Sequence, residues 1–512
     1  MKFLKKIPTL LFSRTTITAL ILLLDIFLLF AISRFFYNAF TLFFLGHFIL
    51  ALIATVHVIN RDMIPEYKIS WIITIFFLPI AGLILYMLFS ENRLMRKLKK
   101  RMSEVSFRFK NAQESYDNVL DELDPHHSSY HLAYYLSETA NNPLFRNRGC
   151  TYFPGGEDFF ESLVEDLKRA ERFIFLEFFI IEQGYMWNTI LDILIEKVKA
   201  GVDVRLIYDD VGCLPKLPRF YDRELRSYGI KVNVFNPIKF AVMPKHNNRD
   251  HRKIVVIDGC IGYTGGSNLA DEYINEVERF GHWKESTLRI TGEAVYSLTV
   301  MFLSLWSYYD DEYIDFRDYM PRLDFSTLEV DGYVQPFNDS PLDNEAVAET
   351  VYMNAIYAAN RYIYITTPYL VISRELENAL CNAAKSGIDV RIITPRIPDK
   401  KLVFLVTRSH YRRLIENGVR IFEYMPGFIH AKNMVSDDQY AVVGTINLDY
   451  RSMYLHFECG VWIHDCECVG DIYKDFLETQ AVSKEITLED IEKTPLSVGI
   501  ITSILQLFAP YM

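Results

Sequence analysis

Positive charge in excess is what this chain lacks. Its 512 residues carry 54 Lys and Arg against 65 Asp and Glu, a formal net charge of −11. With no surplus of cations to displace counterions, the composition speaks against a nucleic-acid partner. It leaves an anionic lipid open, because only the local field at a site counts there. Cysteine is scarce too: seven residues, an odd number, widely scattered. That excludes a disulfide framework and fits a reducing compartment. The tightest group, His464, Cys466 and Cys468, matches no common zinc spacing and reads as ordinary strand or loop. Also missing is any cluster of carboxylates of the kind that holds Mg²⁺ beside the motifs below, so the expectation is catalysis with no metal and no cofactor. Aromatics are plentiful, with 37 Phe and 32 Tyr. This suits work at a lipid interface, and equally a large core. The length calls for two or three domains.

Apolar residues crowd the first ninety positions. Three stretches stand out, Ile17 to Ile32, Thr41 to Val58 and Ser70 to Phe89. The last two approach the ~20 residues that span a bilayer, whereas the first is shorter and contains Asp25. Repeated apolar runs without a small-residue cleavage site exclude a cleavable signal peptide. Residues 1–102 are therefore expected to be a multi-pass membrane anchor. Basic residues flank both ends: Lys2, Lys5, Lys6 and Arg14 before, and Arg93, Arg96, Lys97, Lys99, Lys100 and Arg101 after. The positive-inside rule wants both ends in the cytoplasm, which two spans satisfy and three do not. A cytoplasmic catalytic region is favoured, its basic run meeting an anionic leaflet.

Residues 103–148 are polar and read as a connector. Two similar halves follow, expected at 149–325 and 326–485. Phe173 to Phe179 and Tyr362 to Pro368 are strand-like. Each is followed by a helix ending in Gly and a second strand, Ala200-Gly-Val-Asp-Val-Arg-Leu-Ile and Ser386-Gly-Ile-Asp-Val-Arg-Ile-Ile. The predicted fold class is α/β, two repeated α/β sandwich units paired around one active site and preceded by transmembrane helices. The apolar tail, 486–512, is expected either to lie in the membrane interface or to strap the core.

The halves share a motif. Counting from His251, Lys253 falls at +2, Asp258 at +7, Gly265 at +14 and Asn268 at +17; counting from His430, Lys432, Asp437, Gly444 and Asn447 fall at the same offsets. A lone His-x-Lys is usually surface decoration. Five matched positions, duplicated, are not. The spacing predicts His and Lys on one face at the head of a strand, a hairpin turn at the Asp, and a return to a Gly-rich loop ending in Asn. Two imidazoles, two ammonium groups and two amides suit a phosphodiester. Lys and Asn would bind its non-bridging oxygens, one His would attack phosphorus and the other would protonate the leaving oxygen. Each Asp either serves this chemistry or holds the turn. An imidazole so used needs a carboxylate to fix its tautomer. Glu458, 28 residues after His430, and Glu285, 34 after His251, are the candidates, each expected to serve the histidine of its own half.

Asn248 to Gly259, Tyr263-Thr-Gly-Gly-Ser-Asn and Asp271-Glu-Tyr, with Thr367-Pro-Tyr-Leu, Gly427-Phe-Ile-His-Ala-Lys and Gly444 to Ser452, resemble the two motif regions of the phospholipase D superfamily, and more closely its bacterial cardiolipin synthases. The likeness runs from about residue 40 to the end and includes Phe77 to Tyr86 in the membrane part. It implies transfer of a phosphatidyl group from one phosphatidylglycerol to another, with glycerol released, through a phosphohistidine. It also implies His251 as nucleophile and His430 as acid and then base, with the reverse assignment open. A hydrolase, or a transferase using another alcohol, stays open beside it. Three positions depart from the family pattern: Asp250 for a usual Asn, Glu285 for a usual Asp, and His456 for a usual Asn.

Overall fold

The computed structural model describes residues 37–89 and 119–511, apart from 62, 79, 238–247, 310–313 and 344, with a few isolated positions before them. Of the three apolar stretches the first falls mostly, and the basic run after the third wholly, outside the described residues. The chain divides into two compact units.

The smaller unit contains the described N-terminal helices and the end of the chain from Ser503. Helix Tyr37–Ile59 includes 19 residues, Thr41–Ile59, long and apolar enough to cross a membrane; among the described residues it is the only such helix. The third stretch is not one span. It forms two shorter helices, Pro65–Phe77 and Ala81–Phe89, with Pro79 between them in the sequence. Pro79 is the residue in the sequence that marks this break, since proline cannot continue a helix. Ala51, Val58, Trp71, Ile75, Leu85 and Tyr86 make a small core. The final residues pack here as well: the Tyr511 ring lies edge-on to Tyr67 and Trp71, and Tyr67 donates its hydroxyl hydrogen to the Pro510 carbonyl.

The larger unit holds the repeat. Its first sheet runs in the order Cys150–Phe153, Thr287–Thr291, Ile261–Gly265, Ile254–Ile257, Phe173–Phe178, Asp203–Asp209, Lys231–Phe235. The second runs Tyr333–Asp339, His456–His464, Tyr440–Gly444, Asn433–Ser436, Tyr362–Thr366, Asp389–Pro395, Arg420–Tyr424, which is the same order strand for strand. In each, the central strand is parallel to its neighbour on one side and antiparallel to the hairpin on the other. Central strands buried on both faces favour apolar residues, and Phe173–Phe178 and Tyr362–Thr366 are buried throughout, with Glu177 accommodated by its ion pair with Arg252. The expected helix stops are present: Gly201 and Gly387 have φ of 91° and 94°, a conformation that costs glycine nothing.

Of the segment expected to be a connector, the described residues from Val119 on belong to the second repeat. Phe145–Arg146 pairs with Tyr333–Val334 at the edge of that sheet, and Val119, Leu120, Leu132 and Leu136 join its core. At the other edge Ser483–Glu485 pairs with Phe422–Tyr424, and Ile486 enters the same core, so the second unit runs past its expected end.

Candidate active site

Each motif histidine lies just before the first strand of its hairpin, and the hairpins turn where expected. Asp258 and Gly259 have φ of 54° and 73°, and Asp437 and Asp438 of 57° and 62°. Two left-handed residues in succession make the tight turn that matches strand twist. The aspartates are spent on the turn. Asp258 accepts hydrogen bonds from the backbone N–H groups of Glu171, Arg172 and Phe173. Asp437 accepts from those of Asn360, Arg361 and Tyr362. A catalytic role, the other expectation for them, does not fit carboxylates tied at the far end of the strand from the histidines.

The histidines are placed by the opposite repeat. Arg249–Asp250 pairs in parallel with His456–Phe457, and the His251 N–H donates to the Phe457 carbonyl at 3.0 Å. Gly427–Ile429 pairs in the same way with His282–Lys284, and the His430 N–H donates to the Lys284 carbonyl at 2.8 Å. One residue further along each partner segment is a glutamate. His251 Nδ1 therefore meets Glu458 at 2.9 and 3.0 Å, and His430 Nδ1 meets Glu285 at 2.6 Å. The expectation that each glutamate serves the histidine of its own half is corrected: the dyads cross. The reason is the exchange of short parallel strands, a contact between residues about 200 positions apart in the first case.

All these groups are buried and share one electrostatic neighbourhood. Burial, then Lys253, Lys432 and the other histidine, hold His251 well below the usual histidine range. His430 is pushed down to about 4 by burial and Lys432, with Glu285 offsetting part of the fall. Desolvation lowers Lys253 to about 8, against the pull of Glu458 and Glu285, and lowers Lys432 to about 7. Both lysines donate to the carbonyl of the histidine two positions earlier, which brings each ammonium beside its imidazole.

The dyads differ in their support. Glu285 Oε1 also accepts from Trp283 Nε1 at 2.8 Å, while its Oε2 is buried without a partner among the described residues. Gly266 allows that close fit, since a Cβ there would sit 2.2 Å from Glu285 Oε2. Thr445 stands at the matching place in the second repeat and donates to Glu458. His456, matching Trp283, has its Nδ1 3.6 Å from Glu458. The donors of His251, His456 and Glu458 lie within 4.8 Å of one another, a spacing a metal ion could share. Arg451 Nε, however, donates to His456 Nε2, which leaves the ring proton on Nδ1, facing the carboxylate. Motif spacing did not flag Trp283, Thr445 or His456 as part of the site. The available signal was their fixed offset from the glutamates and glycines of the two copies.

The two asparagines part company. Asn268 is fully buried, accepts from the Ile180 N–H and donates to the Tyr273 hydroxyl, so it holds Tyr273, whose ring stands edge-on to His430 at 5.6 Å. Asn447 is 5% exposed and its Oδ1 has no partner among the described residues.

Known proteins resemble this chain in sequence and in fold. The sequence matches the family described as cardiolipin synthase, PLD-like domain, over residues 163–306 and 352–479, and the phospholipase D-nuclease N-terminal family over residues 49–91. An uncharacterized protein of Streptococcus mutans is 42% identical over 90% of this chain and 99% of its own. A cardiolipin synthase of Geobacillus is 34% identical over 88% of this chain and 89% of its own. In fold, the phosphatidylserine synthase of Haemophilus influenzae superposes with a TM-score of 0.57 at 17% identity, covering 75% of this chain and 97% of that one. The chain is thus a phosphatidyltransferase built on the duplicated phospholipase D fold. Within that class it belongs to the cardiolipin synthase family.

Proposed function

We propose that the protein makes cardiolipin and glycerol from two molecules of phosphatidylglycerol through a phosphohistidine. The observation that carries this is the pair of crossed His–Glu dyads, flanked by two buried lysines in one site. His251 Nε2 attacks the donor phosphorus as the bond to the glycerol oxygen breaks, and His430 delivers a proton to that oxygen. His430 then takes the proton of the acceptor hydroxyl, whose oxygen attacks phosphorus and frees His251. Glu458 and Glu285 keep the Nδ1 proton of each ring and so direct Nε2 to the substrate. Lys253, Lys432 and Asn447 face the non-bridging oxygens, where charge grows.

The unequal support favours this division of roles. The 2.6 Å bond from His430 to a glutamate with a spare oxygen offsets part of the depression of that ring and favours it as the one that carries the proton, while Glu458 also accepts from Thr445. Transfer to water, or to another alcohol, is the alternative chemistry of the same site. The lipid substrate, the Thr41–Ile59 helix and the N-terminal family match support a membrane-bound enzyme, and the basic residues flanking the apolar stretches favour a cytoplasmic catalytic unit. Reconstitution of the full chain with phosphatidylglycerol alone, without divalent metal, tests the proposal. Cardiolipin and glycerol in equal amounts are expected; phosphatidic acid without cardiolipin overturns the synthase assignment.

A further inference from the structure

The transferred phosphoryl group takes up the two inner lysines, yet the acceptor lipid brings a second phosphate. A second anion next to the first needs its own counter-charge, or repulsion keeps it out. We propose that Lys400, Tyr369 and Asp399 form the subsite for the acceptor headgroup, Lys400 binding its phosphate and Asp399 accepting a hydrogen bond from the glycerol hydroxyl beside the attacking one. This deepens the proposed function and rests on it.

Lys400 is exposed and forms no ion pair among the described residues. Its Nζ lies 4.7 Å from the centroid of the Tyr369 ring, which carries the cation without neutralising it. Its charge reaches inward. Together with burial, the inner lysines and His430 it depresses His251, and it opposes the upward push of burial on Asp449. The Tyr369 hydroxyl donates to Asp399 Oδ2 at 2.6 Å and fixes that carboxylate. Asp399 Oδ1 is buried and has no partner among the described residues. Such an acceptor is costly to leave unmade unless a ligand supplies the donor. Leu370–Val371, directly after Tyr369, pairs in parallel with Leu448–Asp449, directly after Asn447, so Tyr369 lies beside the asparagine of the second motif. The subsite therefore borders the second motif, whose histidine would deprotonate the acceptor. A phosphatidylglycerol headgroup has the matching pattern: an anion, then two neighbouring hydroxyls, one to attack and one to be held.

The test uses the full chain in phosphatidylglycerol vesicles with labelled glycerol. One preparation then reports transfer to a lipid acceptor as cardiolipin and transfer to a neutral acceptor as labelled phosphatidylglycerol. In Lys400→Gln the ratio of cardiolipin to labelled phosphatidylglycerol is expected to fall about tenfold, the worth of one charged hydrogen bond, with a raised KM for the acceptor lipid. Lys400→Arg restores the ratio. Asp399→Asn is expected to lose the preference for glycerol over ethanol, which has no neighbouring hydroxyl. An unchanged ratio in Lys400→Gln, or failure of Lys400→Arg to restore it, overturns the subsite while cardiolipin synthesis stands. A wild-type chain that labels phosphatidylglycerol but makes no cardiolipin overturns both.

Discussion

His251 is held by Glu458, a residue 207 positions later and in the other repeat. His430 and Glu285 return the relation across 145 positions. Replacing either carboxylate with Gln keeps the shape but offers the ring a donor in place of an acceptor. Glu458→Gln and Glu285→Gln should each lower kcat by about 10²–10⁴-fold with little change in KM. Steady-state rates on phosphatidylglycerol vesicles decide this; a loss confined to KM would mean the dyads bind lipid rather than orient the rings.

The two histidines should fail differently. His251→Ala removes the attacking nitrogen, and no lipid should become bound to the protein. His430→Ala removes the proton donor but leaves the nucleophile. A labelled phosphatidyl group should then be recovered, slowly, on the peptide that contains His251. Mass spectrometry after an acyl-labelled substrate pulse reads both, and label on the His430 peptide of His251→Ala would reverse the roles.

The pH profile follows from the lysines. With Lys432 at about 7 and Lys253 at about 8, the free enzyme sheds its phosphate-binding charge as pH rises through those values. The kcat/KM should therefore decline above about pH 7 and, on the acid side, only well below the usual histidine range, where His251 gains the proton that blocks its attack. Lys432→Arg should remove the lower of the two alkaline steps, since a guanidinium keeps its proton.

Folding stability carries the opposite sign. A lysine depressed in the folded state binds more protons when unfolded, so its cost is full below about pH 7 and fades as pH rises toward 10.5, the ordinary lysine value. Lys432→Met should abolish activity yet raise Tm by a few degrees at pH 6, and by less at pH 9. Calorimetry at the two pH values checks this.

Asp258→Ala and Asp437→Ala should damage the fold rather than the chemistry. Each removes an acceptor of three backbone N–H bonds at a turn with positive φ, a loss of about 2–3 kcal/mol. Activity per folded molecule should stay close to wild type. A large fall in kcat at full folding, by circular dichroism and calorimetry, would return these residues to the reacting groups.

Much of this was legible in the sequence where the determinants are local. The offsets from His251 and His430 placed both hairpins, and Gly201 and Gly387 placed two helix ends. The crossing of the dyads was not legible, because pairing of Arg249–Asp250 with His456–Phe457 is a long-range contact that leaves no period in the chain. The segment containing Val119, Leu120, Leu132 and Leu136 looked like a connector because its few apolar residues sit in short helices among polar ones. Asp399 and Lys400 looked like ordinary solvated charges, and only the Tyr369 ring beside them says otherwise.

The exchanged parallel strands also make each repeat dependent on the other. Neither repeat owns a whole dyad, so a single copy of this fold could act only by pairing with a twin, each lending the other its glutamate. Within one chain the two copies need not be identical. One copy carries Trp283 and Gly266 and the other His456 and Thr445, so the two histidines are inequivalent and do not have to do the same work.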